Sequence, residues 1–220
     1  MDAHEPGGCT CFACAYAAGP EEASTAALSA PKPVLPLDQV LAKLMRWGAE
    51  WAPGPVIYSF YETRPSFRSG TDYDGYFAFS PEQRDAVQLA FQLISDVANV
   101  TFVQAADNQM EPGAANNRLS FGNSSTMPAH VTGWTLVDIS ETAVLGPQKQ
   151  IYGAEIWFNP AKAVGSYDPG GRMFMVTLHE VMHALGMPHP GDYNRSPTEP
   201  ILYDKHAEYM QDSLQYTVLS

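Results

Sequence analysis

Residues 179 to 189 read His-Glu-Val-Met-His-Ala-Leu-Gly-Met-Pro-His, which places three imidazoles and one carboxylate at spacings that suit a single chemistry. On an α-helix, His179 and His183 lie one turn apart on one face, so both rings can reach the same ion. Glu180 adjoins the first of them. It is badly placed to bind that ion, but well placed to hold and deprotonate a water in an open coordination position, the role of a general base. Gly186 can end the helix in a left-handed conformation and turn the chain back, while Pro188 and Pro190 block any resumption. His189 is thereby returned to the first two rings. Three neutral nitrogen ligands with one position left to water describe a catalytic Zn2+ site, whereas a closed structural site takes four protein ligands, usually with cysteine. A bare HExxH arises easily by accident, but the added glycine and third histidine make accident remote.

Such a helix needs a sheet to lie on, and the chain supplies one. Gly170-Gly171 precede the helix, and Phe174, Met175, Leu178, Met182 and Leu185 are the apolar residues expected to bury it. Ser80-Pro81-Glu82-Gln83 starts a second, longer helix, with Ser80 as N-cap and Gln83 able to reach back. Ala86, Ala90, Leu93 and Val97, with Leu89 and Ile94, form its predicted packing face. Upstream, Leu37, Val40, Leu41, Leu44 and Met45 recur at helical spacing up to Arg46, and Gly48 closes that helix. Strands are predicted at 56–60 (the first), 100–103, 118–121, 133–137 and 155–159, the last before the metal helix. The segment from Glu62 to Phe79 reads as loop. Its Asp72-Tyr73-Asp74-Gly75 offers oxygen ligands for Ca2+, although two carboxylates and a glycine more commonly make a turn. After His189, Gly191 to Tyr216 is loop-like.

The 220 residues suffice for one sizeable domain with a short appendage. A net charge of -12 opposes nucleic acid and anionic membrane surfaces as partners and fits a soluble, self-repelling monomer. No apolar run reaches the roughly twenty residues needed to span a bilayer. Residues 1 to about 30 are rich in Ala, Gly, Ser and Glu, without periodicity, and read as a flexible leader or propeptide; residues 31–220 form the domain. The leader carries all three cysteines, Cys9, Cys11 and Cys14, so the body has no internal disulfide. Those thiols are free groups in a removable segment, a metal cluster, or a cap that holds a precursor inactive. The first residues lack the basic start of a secretory signal.

The order helix, strand, long helix, several strands, metal helix resembles the catalytic domain of the serralysin-type metzincins, bacterial secreted zinc endopeptidases. The likeness rests on His179-Glu180, His183, Gly186 and His189-Pro190, on Gly191-Asp192-Tyr193-Asn194, and on the run from Asp96 to Phe102. Ser120-Phe121-Gly122-Asn123 and Trp157-Phe158-Asn159 add to it. The resemblance implies an α+β (α/β-like) fold. It would have a twisted, mixed, mostly parallel sheet with one antiparallel edge strand, a long backing helix and the zinc helix. It also implies a methionine turn beneath the metal. Thr217-Val218-Leu219-Ser220 aligns with the first four residues of that turn, so Leu219 takes the methionine's place, a volume-conserving swap. The turn's tyrosine would fall beyond Ser220, leaving the domain incomplete at that end.

The function so implied is a zinc metalloendopeptidase acting outside the cell on protein or peptide substrates. A water activated by zinc on His179, His183 and His189 would attack the peptide carbonyl, with Glu180 as base. Glu155, Ile156 and Trp157 are the candidates for an exposed edge strand along which an extended substrate adds. Two alternatives stay open: a zinc-bearing but catalytically silent module, used for binding or as a truncated surface-protein domain, and an intracellular regulatory peptidase.

Overall fold

A computed structural model describes residues 31–107, 118–141, 149–191 and 202–220. Residues 1–30, expected to be a leader and carrying the three cysteines, and Asp192-Tyr193-Asn194 lie outside the described residues. The elements, in chain order, begin with α1 (Leu37–Leu44), β1 (Ala49–Trp51), β2 (Val56–Phe60), β3 (Tyr76–Phe77) and α2 (Pro81–Ser95). They continue with β4 (Phe102–Gln104), β5 (Arg118–Ser124), β6 (Gly133–Glu141), β7 (Lys149–Phe158), α3 (Arg172–Ala184) and α4 (Tyr203–His206). Among the described residues the strands form a seven-stranded sheet with a path β1-β7-β5-β2-β4; β3 pairs with β5 and β6 with β7. The pairings along the path are parallel, and those of β3 and β6 are antiparallel. The expected mostly parallel sheet is therefore present.

Two strand expectations need correction. Val56–Phe60 is the second strand, because Ala49–Trp51 already pairs with Lys149–Ile151; three residues of mixed type carry no alternation to announce a strand. More consequentially, Glu155, Ile156 and Trp157 do not form an edge. They sit within the ten-residue β7, where each pairs with β5 on one side and β6 on the other. Their exposures are 1%, 0% and 0%. A strand buried on both faces and paired on both sides has nothing to offer a substrate. The outer strand is β6, whose only strand partner among the described residues is β7.

Helices cover one face of the sheet. The start of α2 is a full capping box: Gln83 N donates to Ser80 Oγ at 3.3 Å, and Ser80 N donates to Gln83 Oε1 at 3.0 Å. Gln83 is itself buried and exchanges two 2.9 Å hydrogen bonds with Asn123 of β5, which fixes the helix against the sheet. The packing face of α2 is Ala86, Val87, Ala90, Phe91 and Ile94. Leu93 and Val97, expected on that face, are exposed: Leu93 stands a quarter turn off the stripe, and Val97 lies past the helix end.

α3 packs beside α2 through Phe174 against Ala86 and Ala90. Its sheet-facing residues are Met173, Val176, Val181 and Ala184, while Leu178, Met182 and Leu185 are half-buried. The opposite face of the sheet holds a smaller aromatic core of Tyr61, Tyr73, Trp134 and Trp157 with Met127 and Val131. Gly122 is required there, because a Cβ would lie 2.7 Å from the Trp157 ring. The Asp72–Gly75 segment makes a 3-10 turn over Thr71–Tyr73, with Asp74 paired to Arg64 at 2.9 Å. α1 ends at Leu44, and its apolar residues Leu37 and Leu41 remain exposed. No helix among the described residues is long and apolar enough to cross a membrane.

Candidate metal centre

α3 presents His179 and His183 from one face, as their spacing requires, and both are buried. The helix stops at Ala184, and Gly186 follows with φ of +98°. Glycine is needed for two reasons: that φ is poorly open to other residues, and a Cβ would meet the Ala49 carbonyl oxygen and Ile151 Cδ1, both at 2.9 Å. The turn brings His189 back, also buried. One donor atom from each of the three histidines lies within 4.8 Å of the others, and among the described residues this is the only such trio of His, Cys, Asp or Glu. His183 Nε2 and His189 Nε2 are 3.2 Å apart. Two nitrogens at about 2.0–2.1 Å from a tetrahedral zinc lie roughly 3.3 Å from each other, so this separation already suits a shared ion.

The tautomers suit it too. His179 Nδ1 lies 2.6 Å from the Val218 carbonyl, and His183 Nδ1 lies 2.6 Å from the Met187 carbonyl. A carbonyl only accepts, so each Nδ1 carries the proton; in the neutral ring Nε2 is left as a bare lone pair. These are the ring states that a divalent cation needs, and the donor set of three imidazoles fits zinc.

Glu180 is fully buried beside the trio. Its Oε2 accepts a hydrogen bond from the hydroxyl of Thr135 on β6 at 2.6 Å. Gly133, two residues earlier, leaves room for the same carboxylate: a Cβ there would lie 3.1 Å from Glu180 Oε1 and 2.9 Å from the Phe158 ring.

Several positioning residues carried no signal in the sequence. Arg46, just past α1, donates to the carbonyls of His189 at 2.8 Å and Gly191 at 3.0 Å, clamping the return loop. Trp51 Nε1 donates to the carbonyl of Ala184 at 2.9 Å, satisfying an orphan acceptor at the end of the metal helix. The Trp47 ring lies 6.4 Å from that of His183. Leu219 is 1% exposed and sits directly after the carbonyl that orients His179. His206, the last residue of α4, accepts a 2.9 Å hydrogen bond at Nδ1 from Leu202 N.

Glu155 lies across the sheet from this centre. It accepts from Tyr61 Oη at 2.5 Å and from the guanidinium of Arg68. Burial, reinforced by the negative charge of Glu155, pushes the Tyr61 phenol well above its ordinary range. The trio ties the loop after β2 to the middle of the sheet.

No family model matches the chain. Among curated proteins, it is 32% identical over 168 residues to a serralysin of Photorhabdus sp. (strain Az29), covering 75% of this chain and 32% of that one. It is 30% identical over 195 residues to the metalloprotease AprA of Pseudomonas entomophila (strain L48), covering 86% and 38% respectively. A serralysin of Proteus mirabilis is 30% identical over 177 residues, 76% of this chain and 34% of the relative. The chain thus spans about a third of the length of the relatives it matches.

Proposed function

The chain is a serralysin-type metzincin catalytic domain, and from that premise we propose that it is a zinc-dependent endopeptidase acting on protein or peptide chains outside the cell. The observation that carries the proposal is the convergence of three buried imidazoles, two with Nδ1 engaged by carbonyls, beside a buried glutamate. His179, His183 and His189 would hold the zinc through their ring nitrogens. When bound, zinc supplies a Lewis acid that polarises a carbonyl and brings the pKa of water down to about 7. Glu180 would take a proton at a carboxylate oxygen from the water that adds to the peptide carbonyl and hand it to the amine nitrogen as the C–N bond breaks. Its burial suits this task, because a carboxylate shielded from bulk water keeps its proton transfers local.

The substrate rail is β6. An outer antiparallel strand presents backbone N–H and C=O groups to which an extended peptide adds as one more strand. Trp134 and Thr135 sit on that strand opposite Trp157 and Ile156, so pairing there would draw a peptide along the side of the sheet nearest Glu180. Leu219 would stand where relatives of this type carry the methionine of the turn, as an apolar floor.

The test is hydrolysis of casein or a quenched fluorescent peptide with zinc, with a chelator, and with Glu180→Gln. Cleavage that the chelator abolishes and zinc restores, and that Glu180→Gln loses while keeping its zinc, is the expected result. A zinc-loaded chain that cleaves nothing would leave a binding module; cleavage by Glu180→Gln would strip that residue of its role.

A further inference from the structure

We propose that Thr135 is a positioning residue for the Glu180 carboxylate, and that through it the strand that guides the substrate also sets the aim of the base. The inference rests on the endopeptidase reading of the same centre.

The Thr135 hydroxyl lies 2.6 Å from Glu180 Oε2 and 3.1 Å from the backbone carbonyl oxygen of the same residue. It has one proton to give, and the nearer, anionic oxygen takes it, since hydrogen bonds to charged acceptors are the shorter and stronger ones. Thr135 is 5% exposed and Glu180 fully buried, so water does not compete freely for either partner. The other oxygen, Oε1, faces the space kept open by Gly133, where a Cβ would approach to 3.1 Å. β6 therefore shapes both sides of the carboxylate: a hydroxyl anchors one oxygen, and a missing side chain leaves room for the other.

A general base must come within about 2.6–3.2 Å of the proton it removes, and a misplacement of about 1 Å can cost a hundredfold in rate. Glutamate has three rotatable side-chain bonds, and the α3 backbone alone does not fix them. Because the anchor stands on β6, a peptide paired with that strand and the base are registered to the same backbone.

The experiment compares the zinc-loaded parent with Thr135→Val, which keeps the shape and loses the hydroxyl, and Thr135→Ser, which keeps the hydroxyl. T135V is expected to lower kcat roughly tenfold or more, as befits the loss of a charge-assisted hydrogen bond, with KM within about twofold and zinc content unchanged. T135S is expected to recover most of the loss, and the crystal structure of zinc-loaded T135V to show the Glu180 carboxylate turned from its place beside β6. Should T135V fail to give a melting transition, Thr135→Ala serves in its stead. Parental kcat in T135V, a T135S as slow as T135V, or an unmoved carboxylate would overturn the proposal. If the parent itself cleaves nothing, the endopeptidase reading falls, and the carboxylate's position in the crystal still decides what Thr135 does.

Discussion

His179 Nδ1 and the carbonyl oxygen of Val218 are 2.6 Å apart, so the first imidazole of the trio on α3 is oriented by a backbone group nearly forty residues further along the chain. A ring whose proton is held on Nδ1 presents Nε2 in one fixed direction, and partners of this kind are worth roughly 10–100-fold in metal affinity. Deleting residues 217–220 should weaken zinc binding by that factor, measured by competition with a chromophoric chelator. Leu219→Met, which conserves volume at a buried position, should change stability by less than about 1.5 kcal/mol and leave affinity as it was. Unchanged affinity in the deletion would mean that His179 needs no such partner.

Arg46 acts on the third imidazole of the trio by a different route, since its guanidinium reaches the carbonyls of His189 and Gly191 rather than a ring. Removing it frees the loop without touching an imidazole. Arg46→Met should therefore weaken zinc binding several-fold and lower the melting transition modestly, because two hydrogen bonds from an exposed side chain are lost, each worth about 1 kcal/mol net. The same chelator competition, beside a thermal melt, checks it. A large loss of stability with intact affinity would make Arg46 a fold residue.

What the sequence made legible here was local, and what it hid was relational. The capping box at Ser80 and Gln83, the helix carrying His179 and His183, and the reversal at Gly186 each depend on residues a few positions apart. Strand pairing depends on partners far away. The run from Glu155 has the aromatic and β-branched character of any strand, and nothing within it says that β5 and β6 flank it. Gly133 to Val137 reads equally well as a strand, yet it begins the outer one. The Thr135–Glu180 and Arg46–His189 contacts span 45 and 143 positions and could not be read from spacing. Exposure misled as well: the apolar stripe of α1 predicts a buried face, but Leu37 and Leu41 lie open.

Gly186→Ala tests the reversal directly. A side chain at φ of +98° is strained, and its Cβ would press on the Ala49 carbonyl oxygen and Ile151 Cδ1, both at 2.9 Å. Strain of this kind costs about 1–3 kcal/mol before any clash is counted. The turn can relieve it only by moving, and His189 moves with it. The expected outcome is a lower melting temperature together with weaker zinc binding, read by denaturation and chelator titration. A variant that is destabilised but binds zinc as the parent does would show that His189 finds the ion without that turn.

Glu155 separates a substrate-lining role from a structural one. It is buried with Tyr61 and Arg68 as partners. Glu155→Ala leaves the phenol without its acceptor and the guanidinium without its counter-charge, the circumstance in which breaking a buried pair costs about 3–5 kcal/mol. Denaturant unfolding should show a loss of that order, and a peptide library should show the cleavage preference unchanged wherever the variant remains folded. A changed preference with parental stability would restore Glu155 to the substrate groove.

The tyrosines give the fold a definite alkaline limit. Burial raises the phenol of Tyr61 far above its ordinary value of 10.0, and burial likewise pushes Tyr73, Tyr76 and Tyr209 up to about 12. A phenol whose folded pKa exceeds its unfolded one binds its proton more tightly in the native state. The stability this contributes is fully present below about pH 10 and is lost as the pH climbs from there through the folded values. The melting temperature should therefore fall steeply above pH 10. Absorbance near 295 nm should show these phenols ionising later in the native chain than in guanidinium. Tyr61→Phe should be less stable at neutral pH, since Glu155 loses a donor, yet should show a shallower decline above pH 10 because the group with the largest rise is gone. A decline as steep as the parent's would place the alkaline limit in some other group.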